Sequence, residues 1–384
     1  MNPHSLLWMF TLLTPFLAQA QPVVSRPPDI PFEKHTLDLG ANESCAIGDI
    51  NKDGKLDIVS GENWFEAPKW IKHKFRALPF NNNYIDSFSD LIVDVNADGY
   101  PDVVSGGWFS QQLSWWQNPG RSQTAWQSHP IDQGMNMEFA FLVDLNNDGK
   151  ALEVLPQYGG PKAVTAWYEL KQGKWLKHEV SPKGHGHGIG AGDVNGDGQA
   201  DVLTPQGWFE APTWKFHPDW EFKKALGFMH VADVNGDGRP DIVSTYAHDY
   251  GVFWLERGAA GEWTERRIDD TWSQAHAMTM TDLNGDGKPD FISGKRYLAH
   301  EHEPGAFESP GIYWYEPLAV PKPIGNGQLQ WVRHVIDYGT RTGAGMQIPV
   351  VDIDGDGDLD FAVGGKLGVF FFENKTKDRA NTPR

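Results

Sequence analysis

Residues Asp193 to Asp201 read DVNGDGQAD, with oxygen-bearing side chains at the first, third, fifth and ninth positions and glycine at the sixth. Six further segments fit the template. DINKDGKLD starts at Asp49, DVNADGYPD at Asp94 and DLNNDGKALE at Asp144. DVNGDGRPD starts at Asp233, DLNGDGKPD at Asp282 and DIDGDGDLD at Asp352. Most starts are roughly 40–50 residues apart, a period that marks propeller blades or solenoid turns.

The flanks repeat too. An apolar run such as FAFLVD or MTMTD precedes each segment, and a β-rich run such as DIVSG or DFISG follows it. Next comes an aromatic stretch (LSWWQ, TAWYEL, GVFWLE, GIYWYE, GVFFFE), then a run such as WQSHPI, WLKHEV, WTERRI or WVRHVI. Short β-branched and aromatic runs punctuated by Gly, Asn and Pro are strands joined by turns. Four strands in each of seven repeats predict an all-β, seven-bladed β-propeller over residues 21–375, with a polar tail at 376–384. FEKHTLDLG, before the first acidic segment, has the character of an outer strand, whereas GVFFFENK ends the chain on a third strand. Residues 32–38 are therefore expected to complete the last blade and clasp the two ends together.

In each acidic segment alternate residues converge because the turn curls, and glycine at position six allows the positive φ the curl needs. Hard oxygen donors in this number suit Ca2+. The expected ligands are Asp49, Asn51, Asp53 and Asp57; Asp94, Asn96, Asp98 and Asp102; and Asp144, Asn146, Asp148 and Glu153. They continue as Asp193, Asn195, Asp197 and Asp201; Asp233, Asn235, Asp237 and Asp241; Asp282, Asn284, Asp286 and Asp290; and Asp352, Asp354, Asp356 and Asp360. Ala151 and Leu152 push the last carboxylate of the third segment out to Glu153, its one departure from the pattern. A metal-free Asn/Asp turn is the alternative.

These turns and their strands resemble the FG-GAP/VCBS repeat family, whose members include the propeller of integrin α subunits. The resemblance spans nearly the whole chain after the leader. The name-giving elements are degenerate, surviving as GGWF at Gly106–Phe109 and WFEAP at Trp64–Pro68 and Trp208–Pro212. It implies the fold and up to seven structural Ca2+ ions, and leaves function open.

Composition agrees with a packed, exported, cation-binding chain. The 384 residues carry a formal charge of −18, which speaks against nucleic acid as a partner. At 40% hydrophobic residues with 17 Trp, acidity reflects bound cations rather than disorder. MNPHSLLWMFTLLTPFLAQA ends on the small-x-small pattern of a secretory leader cleaved after Ala20, so a secreted or periplasmic monomer is expected. Cys45 is the only cysteine, which excludes an intrachain disulfide. No other stretch is long and apolar enough for a membrane span.

Aligning the repeats against each other separates scaffold from site. His35, His129, His178 and His334 share one outer-strand phase and read as structural. Trp64, Trp108 and Trp208 also recur, so blade packing suits them better than sugar stacking. His185, His187, His230, His248, His276, His300 and His302 belong to repeats four to six and share no such phase. If the acidic turns lie on one rim, residues six before each first Asp meet at the other. They include Glu43, Glu138, His187 and His276. The ends of second strands bring His248, Lys295 and Arg296 to the same rim. The insertion GKRYLAHEHEPGAFESPG adds His300, His302 and Glu303 as a potential lid.

Imidazoles and carboxylates in a ring suit a transition metal such as Zn2+, and Lys and Arg suit a negatively charged substrate. The expected chemistry is a lyase or dehydratase acting on a keto-sugar or uronic acid, by proton abstraction and β-elimination. His187 and His276 are the expected metal holders, with Glu138 a third. His230 or His248 is the candidate base, Tyr250 or Tyr297 the acid, and Lys295 with Arg296 the enolate clamp. Glu43, Glu138, His185, His300 and His302 are candidates for substrate contact. GHGHGIGAGD and AHDYGVFWLE further resemble the propeller part of the fungal aldos-2-ulose dehydratases, which implies a metal and dehydration of keto-sugars. The rival readings are a non-catalytic glycan- or protein-binding propeller and a hydrolase using Glu43 and Glu138 as paired carboxylates.

Overall fold

The computed structural model describes residues 26–122, 124–319 and 329–377. The segment expected to be a secretory leader and most of the polar tail lie outside them. Every described strand belongs to a β-sheet, and no described helix is long and apolar enough to cross a membrane.

The first repeat shows how sequence becomes sheet. Ala46–Gly48 pairs antiparallel with Asp57–Ser60, which pairs with Asn63–Glu66, which pairs with Ile71–Lys74. The second strand, DIVS, is buried throughout, whereas the fourth, IKHK, is mostly exposed. Burial thus falls from the second strand outward. Neighbouring sheets pack face to face: Leu91, Val104 and Leu113 of one meet Met137, Ala140 and Val154 of the next.

Hydrogen bonding corrects the expected blade count. The propeller has five self-standing four-stranded blades, not seven; the fourth and fifth repeats share one eight-stranded sheet. The physical reason is backbone approach. Ile189–Gly192 and Phe228–Ala232, the innermost strands of those repeats, pair in parallel. A Cβ on Gly190 would sit 2.0 Å from the Met229 carbonyl oxygen, so only glycine lets the strands come this close. The chain ends meet as well: Phe32–Asp38 pairs antiparallel with Gly368–Asn374 and is the outer member of that sheet.

A cross-strand device recurs in the outer half of the sheets. In six of the seven repeats the third strand offers an aromatic ring, and directly opposite on the outer strand lies a histidine stacked on it. The ring separations are 4.2 Å for Trp64–His73, 4.5 Å for Trp115–His129 and 3.9 Å for Trp167–His178. They are 4.3 Å for Trp208–His217, 4.0 Å for Trp314–His334 and 5.2 Å for Phe371–His35. Two residues after the ring, Glu66, Gln117, Glu169, Glu210, Glu316 and Glu373 hydrogen-bond the histidine Nε2. In the fifth repeat Arg266 stands opposite Trp254 and bonds Glu256 instead. Trp64 and Trp208 are therefore scaffold.

The acidic turns share one hydrogen-bond scheme. In the fourth, the Asp193 carboxylate accepts the N–H groups of Asp197 and Gly198, and Asn195 Oδ1 also accepts from Asp197. The ninth-position carboxylate turns inward. Asp201 is buried and accepts the N–H of Val194 through Oδ2 and that of Ala211 through Oδ1. Asp57, Asp102, Asp241 and Asp360 are engaged in the same way. Glu153, one residue further on, reaches the equivalent N–H of Leu145 through its longer side chain.

Candidate functional site

Each acidic turn joins the end of a first strand to the start of a second. The start of the first strand and the end of the second therefore lie on the opposite rim, beside the axis. Glu138 stands near the start of Asn136–Val143, and His276 at the start of Ala275–Thr281. His187 precedes Ile189–Gly192, and His248 sits in the turn after Asp241–Thr245. Arg296 and His300 follow the strand Asp290–Lys295.

Arg296 organises this rim. Fully buried, it donates from Nε to Glu43 Oε2 at 2.9 Å and from Nη1 to Glu138 Oε1 at 2.8 Å. The guanidinium lies over the rings of Tyr84 and Phe88. His187 donates from Nδ1 to the Leu226 carbonyl at 2.8 Å, and its Nε2 meets Glu138 Oε2 at 2.8 Å. Burial would push the Glu138 carboxyl up, but His187 and Arg296 hold it well below the usual carboxylate range. Conversely, burial would lower His187, and the Glu138 charge raises it above an ordinary imidazole.

The other three imidazoles differ. The rings of His248 and His300 are 4.0 Å apart, and His248 lies 4.4 Å from His187 and 5.3 Å from His276. His276 Nε2 stands 3.9 Å from Glu138 Oε1, while its Nδ1 faces the Gln274 carbonyl at 3.3 Å. The Nε2 atoms of His248, His276 and His300 are buried and have no hydrogen-bond partner. Glu43 Oε1 and Arg296 Nη2 are orphaned in the same way. Burial, with the neighbouring cationic groups, pushes His248 down to about 3 and His300 down to about 4, and holds His276 well below its ordinary value. Neutral imidazoles, each with an unpaired Nε2, result. Donor atoms of His187, His248 and His276 lie within 4.8 Å of one another, as do those of Glu138, His276 and His300. Buried polar atoms are rarely left unpaired, so five at one place point to a missing partner. The donor set of imidazoles plus carboxylate fits a borderline metal such as Zn2+, with Nδ1–H···O=C bonds orienting His187 and His276.

Several expected site residues lie elsewhere. His230, three residues before its acidic turn, bonds the Met278 carbonyl and lines an axial pocket with Cys45 and Phe141. His185 bonds Ser181 and packs on Phe209 and Phe216. Tyr250 is on the surface, bonded to Glu308. Tyr297 is half-buried and makes no side-chain hydrogen bond to the cluster. Lys295 is not free to clamp an enolate: its ammonium donates to Ser273 Oγ at 2.8 Å and the Gly305 carbonyl at 2.7 Å, holding the insertion down. His302 is exposed at the rim.

Two residues absent from the sequence reading complete the site. A hollow of about 550 Å3 opens beside the cluster, walled by Tyr84, His300, Glu301, His302, Glu303 and Lys366 among others. Lys366 Nζ lies 3.5 Å from the Tyr84 ring centroid and donates to the Leu298 carbonyl. Burial pushes it down to about 8. The signal was present in outline, because Lys366 follows the second strand of the seventh repeat, as His248 does in the fifth.

Comparison with known proteins bears on the repeat and the fold. A family model described as an FG-GAP-like repeat matches residues 94–155 and 233–293. No curated protein matches the chain. Among solved structures, BBS1N in complex with ARL6DN is similar at 8% identity over 89% of this chain and 95% of that one, with a TM-score of 0.55. The BP39L lectin from Burkholderia pseudomallei is similar at 15% identity over 88% and 97%, TM-score 0.53. The rhamnogalacturonan lyase YesW is similar at 12% identity over 93% and 76%, with a TM-score of 0.46. The chain is a β-propeller carrying FG-GAP-like repeats.

Proposed function

We propose that the protein is a carbohydrate-active lyase or dehydratase, working at the histidine-lined rim on a keto-sugar or uronic acid. The observation that carries this reading is the convergence of three buried, unpartnered imidazole Nε2 atoms beside an Arg-bound glutamate. His248, His276 and His300 would hold a transition metal, with Glu138 and His187 completing the donors. Such a metal, when bound, supplies electrophilic polarisation of a sugar carbonyl or carboxylate.

The chain's own residues account for the remaining tasks. Elimination needs a proton removed from the carbon beside that group. Lys366, at the wall of the hollow and brought down to about 8 by burial, gives up its proton far more readily than an ordinary lysine and is the candidate base for proton abstraction. The buried Arg296 guanidinium adds positive charge beside the site where negative charge develops on the substrate oxygen. The insertion, pinned by Lys295 through Gly305, supplies one wall of the hollow. The hydrolase alternative loses ground, because Arg296 binds both Glu43 and Glu138, and the charges around Glu138 hold its carboxyl well below the usual range, against a role as proton donor. The BP39L neighbour is a lectin, so propellers of this shape do serve sugars; it supports the substrate class only in outline.

The acidic turns are proposed to bind Ca2+ as staples of the fold. Their first-, third- and fifth-position side chains, at or near the surface, are the candidate ligands, since the ninth-position carboxylates are buried.

The test is a panel of uronates, 2-keto- and 3-keto-sugars, followed by the ultraviolet absorbance of an unsaturated product. Wild type should form the product, and Lys366→Met should form it at least a hundredfold more slowly. Binding without a new double bond would leave a non-catalytic propeller. New reducing ends without unsaturation would establish a hydrolase.

A further inference from the structure

The insertion of the sixth repeat has two sides. Residues 300–303 wall the hollow beside the histidines, and residues 307–309 wall a second hollow of about 650 Å3 further from the axis. Its floor is formed by Trp272, Tyr313 and Arg333, with Trp272 and Tyr313 5.0 Å apart and the Arg333 guanidinium 5.5 Å over Tyr313. A closed network holds this floor still. Trp272 Nε1 donates to the Tyr315 hydroxyl at 2.7 Å, Tyr315 donates to Asp269 at 2.7 Å, and Arg333 donates to the same carboxylate at 2.9 Å.

Two large aromatic side chains stand in solvent on the walls: Phe307 is 73% exposed and Tyr338 62%. Nothing in the fold requires them there. The Arg333 charge is answered by Asp269, so the floor offers hydrogen bonds without demanding an anion. Exposed rings over a fixed polar floor match a neutral pyranose, which stacks its C–H face on an aromatic ring and bonds through its hydroxyls. A helix or strand partner would instead want a longer apolar stripe or a free sheet edge.

We propose that this outer hollow is a second glycan site, taking neutral sugar units of an oligosaccharide. Its place across the insertion from the histidines makes it a subsite for the same chain whose terminal unit enters the axial hollow. That last clause rests on the function proposed above; occupancy of the outer hollow does not.

The experiment is binding of full-length protein to an array of plant, fungal and bacterial oligosaccharides, then titration of the best ligand as a ladder of one to six units. Affinity should rise with length and plateau once both hollows are spanned. Phe307→Ala with Tyr338→Ala should weaken the longer chains at least tenfold while leaving the monosaccharide, the melting temperature and the metal content unchanged. Arg333→Gln should weaken them as well. No glycan binding, or no loss in the double variant, overturns the proposal. Length-dependent binding lost in the double variant, with no unsaturated product from any sugar, keeps the outer site and removes the lyase reading.

Discussion

The six outer-strand histidines and the four at the axial rim are the same residue in opposite states. Each outer histidine has a ring beneath it and an oxygen acceptor at Nε2, so that nitrogen is satisfied within one sheet. At the rim, His248, His276 and His300 come from separate segments and leave Nε2 bare in a buried space. Repetition marks the first set as cross-strand packing. Unsatisfied lone pairs, gathered from distant parts of the chain, mark the second set as built for something the chain does not supply.

The sharpest test of this contrast is metal content. His187→Ala with His276→Ala should reduce elemental zinc, or its substitute, from one equivalent per chain to none, while His178→Ala keeps it. Equal content in all three proteins would end the distinction. Next in size is Glu138→Gln, which strands Arg296 and His187 in a buried site and should cost about 3–5 kcal/mol in a denaturant melt. The corresponding Glu169→Gln, on the half-exposed outer set, should cost about 1 kcal/mol or less. Removing Ca2+ with a calcium-selective chelator should lower the melting temperature without stripping the rim metal. For a site at a hundred times its dissociation constant the loss is about 2.7 kcal/mol. An unchanged melting temperature would make the acidic turns metal-free Asx turns. Smallest is His178→Ala, expected to cost about 1 kcal/mol through the lost Trp167 stack and Glu169 bond, with turnover untouched.

Much of the rim was legible because internal repeats act as their own alignment. Phase relative to the acidic turn put Glu43, Glu138, His187 and His276 at one end of the axis, and second-strand ends added His248 and Arg296. Phase gives height along a strand, and not where a side chain's hydrogen bonds end. Lys295 and Arg296 are sequence neighbours with opposite fates: one ties down the insertion, the other bridges two glutamates. His230 was misjudged because it lies three residues closer to the turn, midway down its strand. Lys366 and Tyr84 escaped because a lone lysine in a tight turn and a tyrosine in a long connection carry no pattern of their own.

By itself the sequence determined the strand order within each repeat, the rim on which each turn falls and the outer-strand phase of four of the six stacked histidines, since all of these follow from local period and turn chemistry. Tertiary structure alone decided that two repeats merge into one sheet, which carboxylates face inward and which imidazoles are left without partners. Those outcomes depend on distances between segments far apart in the chain, closed by glycine contacts and buried charge that no local pattern encodes.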